Sequence, residues 1–204
     1  MTEKRPHAII LAGPNGAGKS TVAPRLLAGE LEVRAFVNAD IIAQGLAGFE
    51  PSSAAIQAGR VMLARLEELR RARVDFAFET TLSGLWLRSV LSDLQTDGYL
   101  TILVYVWVPN PEISVLRVRA RVAMGGHDVP EADIRRRFHR SVRNFHVFRR
   151  LVTSWWLFDA TKRAPPEPPL LVAHGSGDTM LEVLDDEVWE VIRSRTAEEM
   201  EGAP

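Results

Sequence analysis

The chain has 204 residues, of which 46% are hydrophobic and 25% are charged, a composition that suits one α/β domain with one core. Its net charge of −1 argues against binding of a polyanion by the chain as a whole, and the lack of cysteine excludes disulfides, thiolate metal sites and cysteine nucleophiles. Residues 1–7 lack the apolar stretch of a signal peptide and no segment approaches the ~18 apolar residues of a membrane span, so we expect a cytoplasmic protein without membrane contact.

The first predicted element is a short buried strand at residues 8–12, followed by a glycine-rich turn and a helix. The turn has the spacing G-x-x-x-x-G-K-[ST] of a phosphate-binding loop. Its glycines let backbone N–H groups close around phosphate oxygens, Lys19 can reach the β and γ phosphates, and the Ser20 hydroxyl can hold Mg²⁺. We therefore predict a nucleoside triphosphate site made by Gly13, Pro14, Asn15, Gly16, Ala17, Gly18, Lys19, Ser20 and Thr21.

The rest of the chain alternates between apolar runs and amphipathic segments. The apolar runs predict strands at residues 34–38, 74–79, 99–108 and 154–160, with a last short strand at 170–174. Helical spacing predicts helices at residues 54–73, 85–96, 111–122, 131–152 and 183–195. This alternation indicates an α/β fold, a three-layer sandwich with helices on both faces of a mainly parallel sheet of about five strands. The phosphate-binding loop after the first strand makes this fold similar to that of P-loop NTPases and kinases.

Polar side chains follow the second and third predicted strands, where an open parallel sheet binds its ligands. Asp40 can accept a proton from a substrate hydroxyl that attacks the γ-phosphate, but Asp40 and Asn38 can both also cap a helix. Glu79 can be a ligand of Mg²⁺ or water, a hydrogen-bond acceptor for substrate, or a helix-capping acid, and capping is also an alternative for Thr80 and Thr81. Because these strand ends lie beside the phosphate-binding loop, we expect a catalytic cleft there.

Positive charge is concentrated between residues 111 and 150, where ten arginines and four acidic residues give a net charge of +6. We predict a single domain over residues 1–204, in which residues 111–150 form a helical, arginine-rich lid hinged at Gly125 and Gly126 that closes on triphosphate. The alternatives are a solvated helix face and a nucleic-acid patch, and the core-like spacing of the aromatic residues disfavours the patch. His127 can contact a phosphate or be an ordinary loop residue.

Taken together, the motifs at residues 13–21, 38–40, 78–83 and 125–138 resemble the zeta-toxin family, and more narrowly its short bacterial branch. This resemblance implies a P-loop kinase fold that uses ATP and Mg²⁺ to phosphorylate a hydroxyl of a nucleotide sugar. The characterised toxins of the family act on UDP-N-acetylglucosamine and are neutralised by an antitoxin protein. We therefore expect a nucleotide-sugar substrate, a possible antitoxin partner and no nucleic-acid partner.

Matching the motifs residue by residue implies a role for four side chains. Lys19 matches the phosphate lysine, Ser20 the Mg²⁺ ligand, Asp40 the general base and Glu79 the acid that binds substrate. The predicted substrate-binding set is then Asn38, Glu79, Thr80 and Thr81.

The lid arginines cannot be matched in the same way, because the well-studied toxins lack the Gly-Gly-His and triple-arginine pattern. Helical facing selects Arg121 and Arg136 as the catalytic candidates. The alternative function for the whole chain is a P-loop ATPase or an NTP-dependent switch that needs no small-molecule acceptor.

Overall fold

The computed structural model describes residues 5–23, 33–48, 51–162 and 168–201. In chain order the strands are β1 (His7–Ala12), β2 (Ala35–Val37), β3 (Phe76–Thr80), β4 (Leu100–Trp107), β5 (Ser154–Asp159), β6 (Leu170–Ser176) and β7 (Thr179–Val183). The helices are α1 (Lys19–Ala23), α2 (Ala39–Ala47), α3 (Ala55–Arg71), α4 (Leu87–Thr96), α5 (Pro111–Ala123), α6 (Glu131–Phe148) and α7 (Asp186–Glu201), and a 3-10 turn covers Pro51–Ala54.

The strands form one sheet in the order β2-β3-β1-β4-β5-β6-β7. The first five strands of this order pair in parallel, whereas β6 and β7 are added antiparallel. Residues 8–12 of β1 are each no more than 1% exposed. Because successive residues of a strand point to opposite faces, this burial means that both faces of the sheet are covered. The predicted α/β class with a mainly parallel sheet is confirmed, and β1 is the middle one of the five parallel strands.

The sheet has seven strands rather than about five. Strands β1 to β6 correspond to the six predicted apolar runs, and the strand that was missed lies near the C-terminal end. The segment Thr179–Val183 pairs with β6 as an edge strand, where the sequence predicted no strand, and the last helix begins at Asp186 rather than at residue 183. A two-residue turn, Gly177 and Asp178, connects β6 and β7, with Gly177 at a φ of +53°. Such Gly-Asp turns are typical of hairpins. The signal was therefore present, but the mostly exposed β7 lacks a strong apolar run.

The helices α5 and α6 form a pair at the segment predicted to be a lid. The Asn110 side chain caps α5 by accepting a hydrogen bond from the backbone N–H of Ile113 at 3.0 Å. Gly125, with a φ of +85°, lies two residues after the end of α5, at the beginning of the connection to α6. A small apolar cluster made by Val115, Val118, Val129 and Ile134 holds the two helices together. The predicted helix–turn–helix is thus present, while its movement as a lid stays a prediction.

The second half of α6 belongs to the main core rather than to a separate lid. Phe138, Val142, Phe145 and Phe148 are all at most 1% exposed and pack with the sheet. If the segment moves as predicted, the second half of α6 is expected to stay with the sheet. Among the residues that the structure describes, no helix combines the length and the apolar character needed to cross a membrane.

His146 on α6 makes folding stability depend on pH. Burial, assisted by the positive charge of Arg149, lowers the pKa of this histidine from 6.5 to about 4, although a backbone hydrogen bond with Ile192 opposes the shift. As the pH falls below 6.5, His146 becomes protonated in the unfolded chain. In the folded chain it becomes protonated only near pH 4. The free energy of unfolding should therefore drop by roughly 3 kcal/mol across this interval.

Urea unfolding of the wild type and of His146→Gln at pH 7 and pH 4 measures this contribution. The variant should lose less stability on acidification than the wild type does, because glutamine has no proton to gain. His139→Gln, which removes an exposed histidine from the same helix, is the matched control for the loss of an imidazole. An equal loss of stability in wild type and His146→Gln would show that another group titrates.

Candidate active site

The loop between β1 and α1 has a backbone that requires glycine at two positions. Gly13 and Gly16 have φ values of +143° and +71°. A Cβ at Gly13 would lie 2.2 Å from the Val106 carbonyl oxygen, and one at Gly16 would lie 2.7 Å from the Ser114 carbonyl oxygen. The loop therefore packs directly against the backbone of β4 and of the first turn of α5. This close approach holds the predicted phosphate-binding loop in a fixed shape.

Backbone hydrogen bonds close the same loop from inside. The Ala17 N–H donates to the Pro14 carbonyl at 3.2 Å, and the Thr21 N–H donates to the Gly18 carbonyl at 3.0 Å. All nine residues predicted to bind the triphosphate thus belong to one compact turn and the first residues of α1.

Lys19 is folded into this loop. Its Nζ donates to the carbonyl oxygens of Gly13 at 2.8 Å and Pro14 at 3.0 Å, and it lies 3.6 Å from Glu79 Oε1. Burial lowers the pKa of Lys19, an effect that the negative charges of Glu79 and Asp40 oppose. The ammonium group is thereby held at the phosphate-binding loop, with two carboxylates close enough to act on it.

Glu79 connects the loop to the end of the neighbouring strand. Because β3 lies beside β1, with Glu79 paired to Leu11, its carboxylate reaches the start of α1. Glu79 Oε2 accepts hydrogen bonds from the Ser20 hydroxyl at 3.1 Å and from the Asn38 side-chain amide at 2.9 Å. Both donors are side chains, so Glu79 caps no helix through these bonds and lies instead beside Ser20. That Ser20 holds Mg²⁺ and that Glu79 binds substrate both stay predictions.

Asn38, and not Asp40, caps α2. The Asn38 Oδ1 accepts hydrogen bonds from the backbone N–H groups of Asp40 at 2.8 Å and Ile41 at 3.3 Å. Asp40 therefore lies in the first turn of the helix with an exposed side chain. The two alternatives for Asp40 were a helix cap and a proton acceptor. Because Asn38 makes the cap, the Asp40 carboxylate remains available to accept a proton.

Thr80 and Thr81 order the turn that follows β3. The Thr80 hydroxyl accepts a hydrogen bond from the Leu82 N–H at 3.1 Å, and the Thr81 hydroxyl lies 2.9 Å from that of Ser83. Leu82 has a φ of +57°, and its carbonyl accepts a hydrogen bond from the Asn144 side chain at 2.7 Å. Both threonines therefore shape the wall of the cleft, whatever they contact in a complex.

Two cavities adjoin this group of residues and share Asn38, Asp40 and His127 in their walls. The first has a volume of about 460 Å³ and includes Ser20 and Arg121, with Phe36 and Ile41 on its apolar side. The second has a volume of about 450 Å³, and its wall includes Glu79, Thr80, Thr81, Met62, Trp86 and Arg137. Asp40 thus stands where two cavities of small-molecule size meet, beside the phosphate-binding loop.

The model of the AAA domain family AAA_33 matches residues 9–143, which is more than half of the chain. The chain belongs to this family. A curated relative, an uncharacterised protein of Haemophilus influenzae, is 30% identical over 131 residues, which are 64% of this chain and 91% of the relative. Residues 9–143, the region that the family model matches, contain the phosphate-binding loop, Asp40, Glu79, all of α5 and most of α6.

Three solved structures have a similar fold. A structure from the PezAT chromosomal toxin–antitoxin system of Streptococcus pneumoniae has a TM-score of 0.63 and 16% identity, and the match covers 98% of this chain and 90% of that one. The AvrRxo1-ORF1:-ORF2 structure with ATP has a TM-score of 0.75 and 20% identity, covering 94% of this chain and 64% of that one. A gluconokinase of Sinorhizobium meliloti has a TM-score of 0.53 and 14% identity, and the match covers 98% of this chain and 94% of the gluconokinase. The predicted resemblance to a zeta-toxin-like P-loop kinase is confirmed as a likeness of fold.

The two lid arginines predicted to be catalytic have different surroundings in this AAA-domain protein. Arg121 lines the first cavity, and its Nη2 donates to the His127 carbonyl at 2.7 Å. The positive charge of Arg121 also lowers the pKa of Lys19. Arg136 lies outside the walls of both cavities, is half-exposed and pairs with Asp133 at 2.7 Å. The structure thus brings Arg121 and not Arg136 to the cleft, and the catalytic role of each stays a prediction.

Two other arginines at the cleft were missed as site residues. Arg117 donates to the Ala160 carbonyl at 2.8 Å and makes a longer contact, 3.4 Å, with the Gly16 carbonyl, so it joins α5 to the phosphate-binding loop. Its spacing of four residues from Arg121 placed both on one helix face and was the available signal. Arg137 lines the second cavity. Arg137 was missed because three arginines follow one another here. An error of one residue in assigning the face of the helix selects Arg136 instead.

Proposed function

We propose that the chain is an ATP-dependent phosphotransferase that phosphorylates a hydroxyl group of a small molecule. The position of Asp40 carries this proposal. Its exposed carboxylate lines both cavities, shares one of them with Ser20 of the phosphate-binding loop, and acts electrostatically on Lys19. A carboxylate between a phosphate-donor loop and an acceptor-sized cavity is the arrangement that direct phosphoryl transfer needs.

In this mechanism the acceptor hydroxyl donates its proton to Asp40 as its oxygen forms a bond to the γ-phosphorus of ATP. The bond from that phosphorus to the β–γ bridging oxygen breaks, and ADP leaves with the negative charge. Lys19 and Arg121 offset the charge on the phosphate oxygens, and the backbone N–H groups of the loop hold those oxygens in place. Because Lys19 is already fixed by Gly13 and Pro14, little reorganisation is needed during transfer.

The residues at the loop also suit a magnesium ion. Mg²⁺ in phosphotransferases is held by one or two protein oxygens together with substrate phosphates and water. The Ser20 hydroxyl and the Glu79 carboxylate, 3.1 Å apart, supply oxygens of this kind. When bound, the ion would neutralise part of the charge on the triphosphate, and Ser20 with Glu79 beside it would hold it.

For the acceptor we propose a nucleotide sugar, with UDP-N-acetylglucosamine as the first candidate, on the strength of the motif resemblance. A protein antitoxin is a possible partner, which the likeness to the PezAT toxin–antitoxin system supports. A single domain with a moving lid and a cytoplasmic location stay predictions.

A kinase assay against a panel of acceptors tests the proposal. The protein is incubated with ATP, Mg²⁺ and one of several nucleotide sugars or small polyols, and mass spectrometry detects an acceptor that has gained one phosphoryl group. We expect one class of acceptor to be phosphorylated and ADP release to depend on it. ADP release at the same rate without any acceptor would instead support the alternative, a P-loop ATPase or NTP-dependent switch.

A further inference from the structure

The second cavity has a wall of mixed chemistry. Asp40, Thr80 and Thr81 provide polar groups, whereas Met62 and Leu63 of α3 provide an apolar surface. Glu79 is also part of this wall, but its carboxylate is already bonded to Ser20 and Asn38 and lies near Lys19. The charges in the wall that remain available to a ligand are therefore Asp40 and the basic side chains of the cavity.

Arg137 and His127 are these basic side chains among the described residues that line the cavity. Arg137 is close to one acid, Asp133, but the separation is 3.8 Å, too long for a hydrogen bond. Its guanidinium group therefore retains donors for a ligand. A planar fork of N–H donors matches the oxygens of a phosphate or carboxylate group.

The adjacent Arg136 provides an internal comparison. It stands on the same helix and contacts the same acid, but at 2.7 Å and on a side chain that is 55% exposed. It does not line either cavity. Of these two neighbouring arginines, only Arg137 lines the second cavity, and only Arg137 is beyond hydrogen-bond distance of Asp133.

Trp86 adds an aromatic surface to the same cavity. The ring is 38% exposed and is supported from behind by Phe78, with ring centroids 6.2 Å apart. Gly84 leaves room for it, because a Cβ there would lie 3.0 Å from Trp86 Cδ1. A supported and partly exposed indole can pack against a sugar or a planar ring of a ligand.

We propose that Arg137 binds an anionic group of the phosphate acceptor, so that the acceptor is a hydroxyl compound that also carries a phosphate or a carboxylate. The acceptor hydroxyl lies at Asp40, its ring or carbon skeleton packs on Trp86, and its anionic group pairs with Arg137. This inference rests on the proposed function, because it takes Asp40, the proton acceptor of that function, as the point where the second cavity holds the acceptor hydroxyl.

Binding measured with the donor site filled tests this assignment without needing catalysis. The protein is saturated with Mg²⁺ and a non-hydrolysable ATP analogue, and calorimetry then measures binding of UDP-N-acetylglucosamine and of gluconate. N-acetylglucosamine and sorbitol are the uncharged counterparts. Comparison of the affinities for the two charged probes shows whether the site prefers a phosphate or a carboxylate group. The proteins compared are the wild type, Arg137→Gln and, as matched control, Arg136→Gln.

We expect the wild type to bind at least one charged probe more tightly than its uncharged counterpart. Arg137→Gln should weaken that binding by roughly 10- to 100-fold, as loss of a charge-assisted hydrogen bond does. Arg136→Gln should bind as the wild type does. Titration of the ATP analogue alone, with thermal unfolding of each variant, shows whether the effect is specific to the acceptor.

Three results would overturn the assignment. The first is equal affinity of wild type and Arg137→Gln for the charged probes, and the second is wild-type binding no tighter for charged probes than for uncharged ones. The third is a loss of affinity for the ATP analogue in Arg137→Gln, which would place Arg137 at the donor. Charged probes that bind through Arg137 without being phosphorylated would preserve this inference and count against the proposed function. If Arg137→Gln phosphorylates the acceptor as the wild type does, that result would support the proposed function and count against this inference.

Discussion

Replacement of Asp40 by asparagine is expected to reduce phosphoryl transfer by at least ~10²-fold while ATP still binds. The asparagine amide has nearly the shape of the carboxylate but cannot accept the proton of the attacking hydroxyl. The Asn38 cap of α2 uses the backbone N–H of Asp40 and not its side chain, so the helix should remain intact. Steady-state rates and ATP-analogue binding, measured on the same preparation, separate the two properties.

Glu68→Gln is the control for this experiment. Glu68 is an exposed carboxylate on α3 that pairs with Arg65 and lines neither cavity. This variant should transfer phosphate at the wild-type rate. Full activity in Asp40→Asn would show that the acceptor hydroxyl loses its proton to another group.

Replacement of Lys19 by methionine should lower the rate of transfer by about 10²–10³-fold, the usual cost of removing one donor that stabilises transition-state charge. Methionine keeps most of the apolar length of the side chain but removes the ammonium group that contacts Gly13 and Pro14. ATP binding should weaken as well, since the lysine is near the triphosphate before and during transfer. Rates at saturating ATP, together with titration of an ATP analogue, measure both effects.

Lys162 supplies a matched control, because lysine is rare in this chain and Lys162 is exposed and paired with Asp185 at 2.5 Å. Lys162→Met should keep wild-type activity and nucleotide affinity. If Lys19→Met behaves in the same way, the loop between β1 and α1 does not bind the transferred phosphate.

The phosphate-binding loop was predictable because its signal is local. Its glycines are needed for the conformation of the loop backbone itself, and the flanking strand and helix are adjacent in sequence. The central strands were predictable for a similar reason, since a strand buried on both faces is a continuous apolar run. The edge strand β7 was missed because an exposed strand carries little hydrophobic pattern, although its Gly-Asp turn is a hairpin signal.

Side-chain partners across the cleft were harder to predict, because they depend on which strands are neighbours. Glu79 bonds to Ser20 because β3 lies beside β1, and the sequence contains no direct record of strand order. The identity of the helix cap depended on a choice between Asn38 and Asp40 that only the geometry decides. The choice between Arg136 and Arg137 needed the rotation of α6 to within one residue.

The most direct measurement is the molar ratio of phosphorylated acceptor to ADP during turnover with ATP, Mg²⁺ and the acceptor that the panel identifies. Transfer from the phosphate-binding loop to a hydroxyl at Asp40 predicts equal amounts of the two products. It also predicts that ADP release falls to background when the acceptor is omitted or when Asp40 is replaced by asparagine. Formation of ADP and inorganic phosphate at an unchanged rate in the absence of every acceptor would contradict the account.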